Sequence, residues 1–414
     1  MKERTTLRPI FSKTAQTGAT ALVAAIALLG ATAPSYADTA PAARIPVGSW
    51  VMTQAADGRV EVVTGRDAIE VATKAAEGAP GPHVLSVQPD QIMHSLDVGG
   101  HENDPMRSQQ WALDRTSFES AWSVSRGRGV TVAVVDSGVA MKHQELRGSV
   151  LPGEDYVRPS DDGRIDPDGH GTHVAGIIAA HINNGVGIDG AAPGVRILPV
   201  RVLDATGSGI ASNVAKGIIW AADHGARVIN LSLGGDRSEG LQQAIRYANR
   251  KQAVVVAAGG NNGQAGNAPM YPAAFPEAIA VASVNRDLSH SDFGNTGSYL
   301  DIAAPGAGIV SAWGTSPTAY ADASGTSMAT AYASAEAALI IAIAPRLSPA
   351  RVKRIMQSTA THLGPNSVFG HGLVNPALAL VKVRAYPTGA QVTQAQLQRQ
   401  HLFLFLYLWV CALR

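Results

Sequence analysis

Cysteine is nearly missing from this sequence: of 414 residues only Cys411, close to the C-terminus, carries a thiol. One cysteine excludes an intrachain disulfide and a thiolate metal cluster. Aromatic residues make up 5% of the chain and charged residues 16%, against 46% hydrophobic, a balance that excludes wholesale disorder and a collagen-like rod. An excess of charge of one sign is lacking too. Thirty-three Lys and Arg face 32 Asp and Glu, leaving +1, so no nucleic-acid partner is expected on global electrostatics. What the chain has in quantity is glycine, 43 residues, which together with the large hydrophobic share points to an α/β protein with many tight turns.

Both ends carry apolar runs, and both are short. Lys2, Arg4, Arg8 and Lys13 precede an apolar stretch over 19–33 and a small-residue exit at Ser35-Tyr36-Ala37. That is the order of a secretory signal, with the cut expected after Ala37. A transmembrane anchor is the alternative, but Gly30 and Thr32 interrupt a run that falls short of the roughly 20 residues a spanning helix needs. The run over 402–413 is shorter still. For the tail 386–414, a non-native segment, an interfacial or packed one, and a membrane anchor all stay open.

Residues 38–101 have a different character. Short β-type runs at 49–53 and 59–64 lead to a helical pattern over 68–76, then a break at Gly78-Ala79-Pro80-Gly81-Pro82 and a strand pattern over 83–88. A unit of about 60 residues is marginal alone and gains from a partner surface. Beyond Gly129 the text repeats apolar strand, glycine-rich turn and helix. Strands are expected at 130–135, 196–202, 226–233, 253–258 and 278–284, and helices at 210–224 and 240–250. The strand runs are continuous rather than alternating, as parallel strands covered on both faces require.

Three segments set a reactive side chain at a strand end or a helix start. Val132-Ala133-Val134-Val135-Asp136-Ser137-Gly138 ends a buried strand on a carboxylate, and Gly138 permits a sharp exit. Gly169-His170-Gly171-Thr172-His173 opens a helix over 174–180 with an imidazole in its first turn. Ser324-Gly325-Thr326-Ser327-Met328-Ala329 puts a hydroxyl at the start of a helix over 328–343, where free N–H groups favour developing negative charge. Singly, each has an ordinary structural reading as a cap, a packed histidine pair or a helix entry. Together, the order Asp, His, Ser with these flanks is that of subtilisin.

The chain resembles the subtilisin-like serine proteases, the subtilase family, over 103–386. Further strings carry the likeness: Gly190-Ala191-Ala192-Pro193, Val228-Ile229-Asn230-Leu231-Ser232-Leu233-Gly234-Gly235, residues 254–263, Asp301-Ile302-Ala303-Ala304-Pro305-Gly306 and residues 325–330. The resemblance implies a three-layer α/β fold with a mainly parallel central sheet and helices on both faces, preceded by a small α/β propeptide. The domains are then a signal peptide at 1–37, an inhibitor-like propeptide at 38–101, a catalytic domain at 102–385 and the tail at 386–414. The implied protein is a secreted, monomeric serine endopeptidase made as a self-processing precursor, with polypeptides and its own propeptide as partners.

The resemblance also assigns roles. Asp136 orients His170, His170 takes the proton of Ser327, and Ser327 attacks the scissile carbonyl. Asn261 matches the oxyanion asparagine, in preference to Asn262. Ser232, Leu233 and Gly234 on one side and Ala258, Gly259 and Gly260 on the other resemble the walls of the primary specificity pocket, and Met270 stands at its floor where many relatives have glycine. A structural calcium ion is implied at Glu145, Asn184 and Gln109 or Gln110, oxygen ligands of the kind calcium takes; no cofactor is required for the chemistry. The chain departs from the family after the serine, with Ala331-Tyr332 in place of Pro-His and with Glu336 in an apolar stretch. These departures motivate a second reading, a protease-like binding protein with impaired catalysis. An α/β-hydrolase esterase fails because Gly325-Thr326-Ser327-Met328-Ala329 lacks the closing glycine of a nucleophile elbow. Zinc at His170 and His173 fails on the i, i+3 spacing.

Overall fold

The computed structural model describes residues 49–54, 60–65, 83–89 and 103–385, and the chain divides into two units, Met1–Val98 and Gly99–Arg414. In the first unit β1 (Ser49–Gln54) lies between β2 (Val60–Gly65) and β3 (His83–Pro89), antiparallel to both. All three answer to the expected β-type runs. The helix expected over 68–76, the signal segment 1–37 and the tail 386–414 lie outside the described residues.

The second unit is built on a parallel sheet of seven strands: β4 (Thr131–Asp136), β5 (Glu154–Asp155), β6 (Arg196–Arg201), β7 (Val228–Leu231), β8 (Val254–Ala258), β9 (Ile279–Val284) and β10 (Ile302–Pro305). Their order across the sheet is β10-β9-β8-β7-β4-β6-β5. The helices are α1 (His170–Ala179), α2 (Ala211–Asp223), α3 (Glu239–Arg250), α4 (Thr326–Ile343), α5 (Pro349–Thr359) and α6 (Pro376–Ala385), with short turns between. A small antiparallel pair, β11 (Ile309–Ala312) and β12 (Tyr320–Ala323), precedes α4.

Alternate residues of each strand feed two separate cores. Val132 and Val134 of β4 pack with Val174 and Ile178 of α1 and with the apolar residues of α4, whereas Ala133 and Val135 pack with Ile218 of α2 and Ile245 of α3. From β4 the chain passes to the edge strand β5, returns through α1 to β6, and then passes through α2 to β7 on the far side of β4, from which β8, β9 and β10 continue away. The reversal opens a crevice at the carboxyl edge between β4 and β7, the place where doubly wound sheets bind ligands. Asp136 ends β4, Ser232 follows β7 and Ala258 ends β8, so the sheet itself delivers three of the expected site segments to one edge.

Candidate active site

Asp136 is fully buried at the end of β4, and His170 is the first residue of α1. Gly138 turns the chain out of the strand at φ 113°, and a Cβ there would run into the carbonyl of Ile165. This tight exit lets α1 begin beside the strand end. His170 Nδ1 meets Asp136 Oδ1 at 2.8 Å, and the Ser137 backbone N–H donates to the same oxygen at 2.7 Å. A hydrogen bond from Nδ1 to a buried carboxylate fixes the tautomer that leaves Nε2 free to accept a proton.

Ser327 is the second residue of α4, so its N–H belongs to the first turn, which has no carbonyl one turn back to bond. Its Oγ donates to the Ser232 carbonyl at 3.1 Å, and Ser232 Oγ in turn donates to the Ser327 carbonyl at 2.9 Å. The structure thereby joins the nucleophile segment to the segment after β7. Asn261 is fixed from one end only: its Oδ1 accepts from Thr326 N at 2.9 Å and Thr326 Oγ1 at 2.8 Å. The Nδ2 end lies beside Gly325, adjoining Ser327. Asn262 is used differently, its backbone N–H donating to Asn295 Oδ1 at 2.6 Å. The structure brings Ser232, Ala258, Gly259, Gly260, Asn261 and Ser327 to one edge of the sheet. At Gly234 a Cβ would collide with Cγ and Sδ of Met270, so the methionine lies against this wall, half-buried. The opposite wall is held from behind by Tyr299, whose hydroxyl donates to the Gly259 carbonyl at 2.7 Å.

Electrostatics separate the two histidines of α1. Burial disfavours the His170 cation, but the charge and hydrogen bond of Asp136 outweigh it and, with Asp168 and Asp166, raise its pKa to about 9. His173 is fully buried, with Nε2 near the carbonyls of Ile309 (3.0 Å) and Ala321 (3.1 Å), and burial lowers its pKa to about 4. The neighbouring carboxylates thus favour the charged form of one ring, and burial favours the neutral form of the other. Farther along α4, Tyr332 is buried with its ring 5.8 Å from that of Phe118, and Glu336 is buried with neither oxygen hydrogen-bonded.

The expected calcium ligands point at protein donors. Glu145 Oε1 accepts from Tyr320 Oη at 2.6 Å and Ile188 N at 2.9 Å, and Oε2 from Asn184 Nδ2 at 3.2 Å. Asn184 Oδ1 accepts from Val186 N at 2.9 Å, and Gln110 is pinned to the Asp189 backbone through both ends of its amide. Gln109 is exposed. Among the described residues no group of three or more His, Cys, Asp or Glu is arranged to hold a metal ion. Glu145 Oε1 thus takes two donors, whereas Glu145 Oε2 and Asn184 Oδ1 take one each.

Asp166 was not foreseen as a site residue, although an Asp three residues before a glycine helix entry is a capping signal. It is buried below the first turn of α1 and accepts hydrogen bonds from Gly169 N at 2.8 Å and Thr172 N at 2.8 Å.

The chain is similar to known proteins over the same region. The family model described as the subtilase family matches residues 127–372. Thermitase of Thermoactinomyces vulgaris is 45% identical over 276 residues, 66% of this chain and 96% of that protein. Subtilisin DY of Bacillus licheniformis is 40% identical over 258 residues, 60% of this chain and 90% of that protein. Among solved structures, a protease of Pseudoalteromonas arctica superposes with a TM-score of 0.62 at 32% identity, covering 69% of this chain and all (100%) of that one. With the matched region, these identities and a three-layer parallel α/β architecture in agreement, the chain belongs to the subtilase family of serine endopeptidases.

Proposed function

We propose that the chain is a secreted bacterial-type endopeptidase that works through Asp136, His170 and Ser327 and an acyl-enzyme, and that it is made as a precursor that cuts itself. The observation carrying this reading is the 2.8 Å bond from His170 Nδ1 to the fully buried Asp136, with Ser327 opening α4 at the same sheet edge. In the reaction, His170 Nε2 takes the proton of Ser327 Oγ as the oxygen attacks the scissile carbonyl, and Asp136 stabilises the imidazolium that forms. The bond from Ser327 to Ser232 gives way to one with His170 when substrate binds, since catalytic hydrogen bonds commonly tighten only in the complex. The tetrahedral oxyanion is met by the Ser327 N–H and by Asn261 Nδ2, donors fixed before charge develops. His170 then gives its proton to the leaving amine, and water repeats the sequence on the acyl-enzyme.

Main chain at 232–235 and 258–260 pairs with an extended polypeptide in the manner of strand addition, and Met270 limits the side chain admitted before the cut. Residues 38–101 act as the propeptide, and the basic-then-apolar start at 1–37 acts as the export signal. Ala331 and Tyr332 pack within the core without displacing Ser327, which supports catalysis over a binding-only role.

Ser327→Ala tests the whole reading. Purified away from other proteases, this variant is expected to stay a folded, full-length precursor with no peptide hydrolysis. Normal maturation under those conditions would overturn self-processing by Ser327.

A further inference from the structure

Asp166 carries more hydrogen bonds than a helix cap requires. Its Oδ1 accepts from Ser137 Oγ at 2.9 Å, Gly169 N at 2.8 Å and Asp168 N at 3.2 Å, and its Oδ2 from Thr172 N at 2.8 Å and Thr172 Oγ1 at 2.6 Å. The N-cap residue of α1, Gly169, has no side chain to offer, and a cap needs only one acceptor for a first-turn N–H. Two of the donors are themselves bridges. Ser137 Oγ accepts from Gly171 N at 3.0 Å, and Thr172 Oγ1 accepts from Ala140 N at 2.9 Å. Ser137 directly follows Asp136 and donates its own N–H to Asp136 Oδ1, the oxygen that His170 reaches. The exit of β4 and the first turn of α1 are therefore tied through one buried carboxylate that bonds neither the Asp136 nor the His170 side chain.

We propose that Asp166 is a positioning residue for His170: by locking the first turn of α1 to the exit of β4, it holds the imidazole in register with Asp136. This rests on the triad reading above. Misplacement of a reacting group by about 1 Å costs on the order of 10²-fold in rate, so a device that fixes the strand-to-helix register acts on turnover rather than on substrate affinity. The groups whose charge acts on His170 are Asp136 on β4, Asp166 and Asp168 in the loop before α1, and His173 on α1. Asp166 thus contributes negative potential at the imidazole as well as geometry.

Asp166→Asn keeps the shape but turns an N–H₂ group toward hydrogen-bond donors and removes the charge. The variant precursor is matured with a trace of affinity-tagged wild-type enzyme that is then removed, and active sites are counted by labelling to completion with a fluorophosphonate. Expected are a fall in kcat per labelled site of about 30- to 100-fold, KM within about twofold, and an acid limb of kcat/KM moved to lower pH. A lower Tm with kcat per site and acid limb unchanged would make Asp166 a stability cap only and overturn the proposal. Failure of the wild-type enzyme to label at Ser327 would instead count against the triad. Should Asp166→Asn not fold, Thr172→Val and Ser137→Ala each remove one donor, and each is expected to lower kcat per site about threefold or more. Unchanged turnover in both would equally overturn the proposal.

Discussion

Asn261 is anchored by its oxygen, and that decides what its nitrogen can do. Thr326 donates twice to Oδ1, so the amide cannot flip without losing both bonds, and Nδ2 stays beside the segment bearing Ser327. A donor held in place contacts charge that exists only in the transition state. Asn261→Ala is therefore expected to lower kcat by about 10²–10³ with little change in KM, the magnitude measured for the matching donor of subtilisin. Asn262→Ala, whose native role is a backbone bond to Asn295, is expected to change kcat far less, and steady-state kinetics on one peptide compares the two. Met270 is the second residue with a consequence of its own. Because its thioether lies against Gly234, large aromatic side chains before the cut are expected to be poor, and Met270→Gly is expected to shift the Phe-to-Leu ratio of kcat/KM by more than roughly tenfold. A wild-type preference for Phe that Met270→Gly leaves unchanged would show the pocket to be roomy already.

The elements were legible in the sequence where one physical pattern dominates. Five continuous apolar runs became β4, β6, β7, β8 and β9, because burial on both faces leaves no other composition. β5, β10, β11 and β12 were not foreseen: Glu154–Asp155 is too short for any periodicity, Ile302–Pro305 is four residues ending on proline, and Tyr320–Ala323 is partly exposed with an Asp in it. The candidate residues Asp136, His170 and Ser327 stood out because they end or open strong elements, whereas Asp166 was hidden in a polar loop whose meaning lies in its partners. The hydrogen bonding of the expected calcium ligands was hidden for a related reason. Residue type shows that Glu145 and Asn184 carry oxygens, but only the fold shows those oxygens bonded to Tyr320, Ile188 and Val186. Helix α4 carries the clearest element-scale consequence. Burial raises the pKa of Glu336 from 4.5 to about 8, opposed only by the nearby Asn375 backbone N–H. Between those two pH values the unfolded chain releases a proton that the folded chain keeps, so stability falls as pH rises through that window. In an Ser327→Ala background, which removes self-digestion, Glu336→Gln is expected to raise Tm at pH 9 and to leave it nearly unchanged at pH 4, read by calorimetry. An equal effect at both pH values would mean that Glu336 is not buried as a titrating group.

For the molecule as a whole, activity and stability depend on pH in opposite directions. His170 must be neutral to accept the Ser327 proton, and Asp136 raises its pKa to about 9, so kcat/KM is expected to climb with an acid limb in the alkaline range. The same ion pair supports the fold only while His170 is charged: its contribution is complete below the ordinary histidine value of 6.5 and is lost as pH rises through about 9. Glu336 removes stability over an overlapping range, from 4.5 to about 8. Glu336 has therefore already weakened the fold, and His170 is still weakening it, as the base becomes competent. Initial rates at low temperature are expected to rise toward alkaline pH, while the inactivation half-life at elevated temperature, measured at low enzyme concentration, shortens over the same range. Glu336→Gln is expected to separate the two, lengthening the alkaline half-life while the acid limb stays in place, because Glu336 is not among the groups acting on His170. An acid limb near 6.5 in the wild-type enzyme would show that Asp136 does not raise the base, and the opposition between rate and stability would then reduce to Glu336 alone.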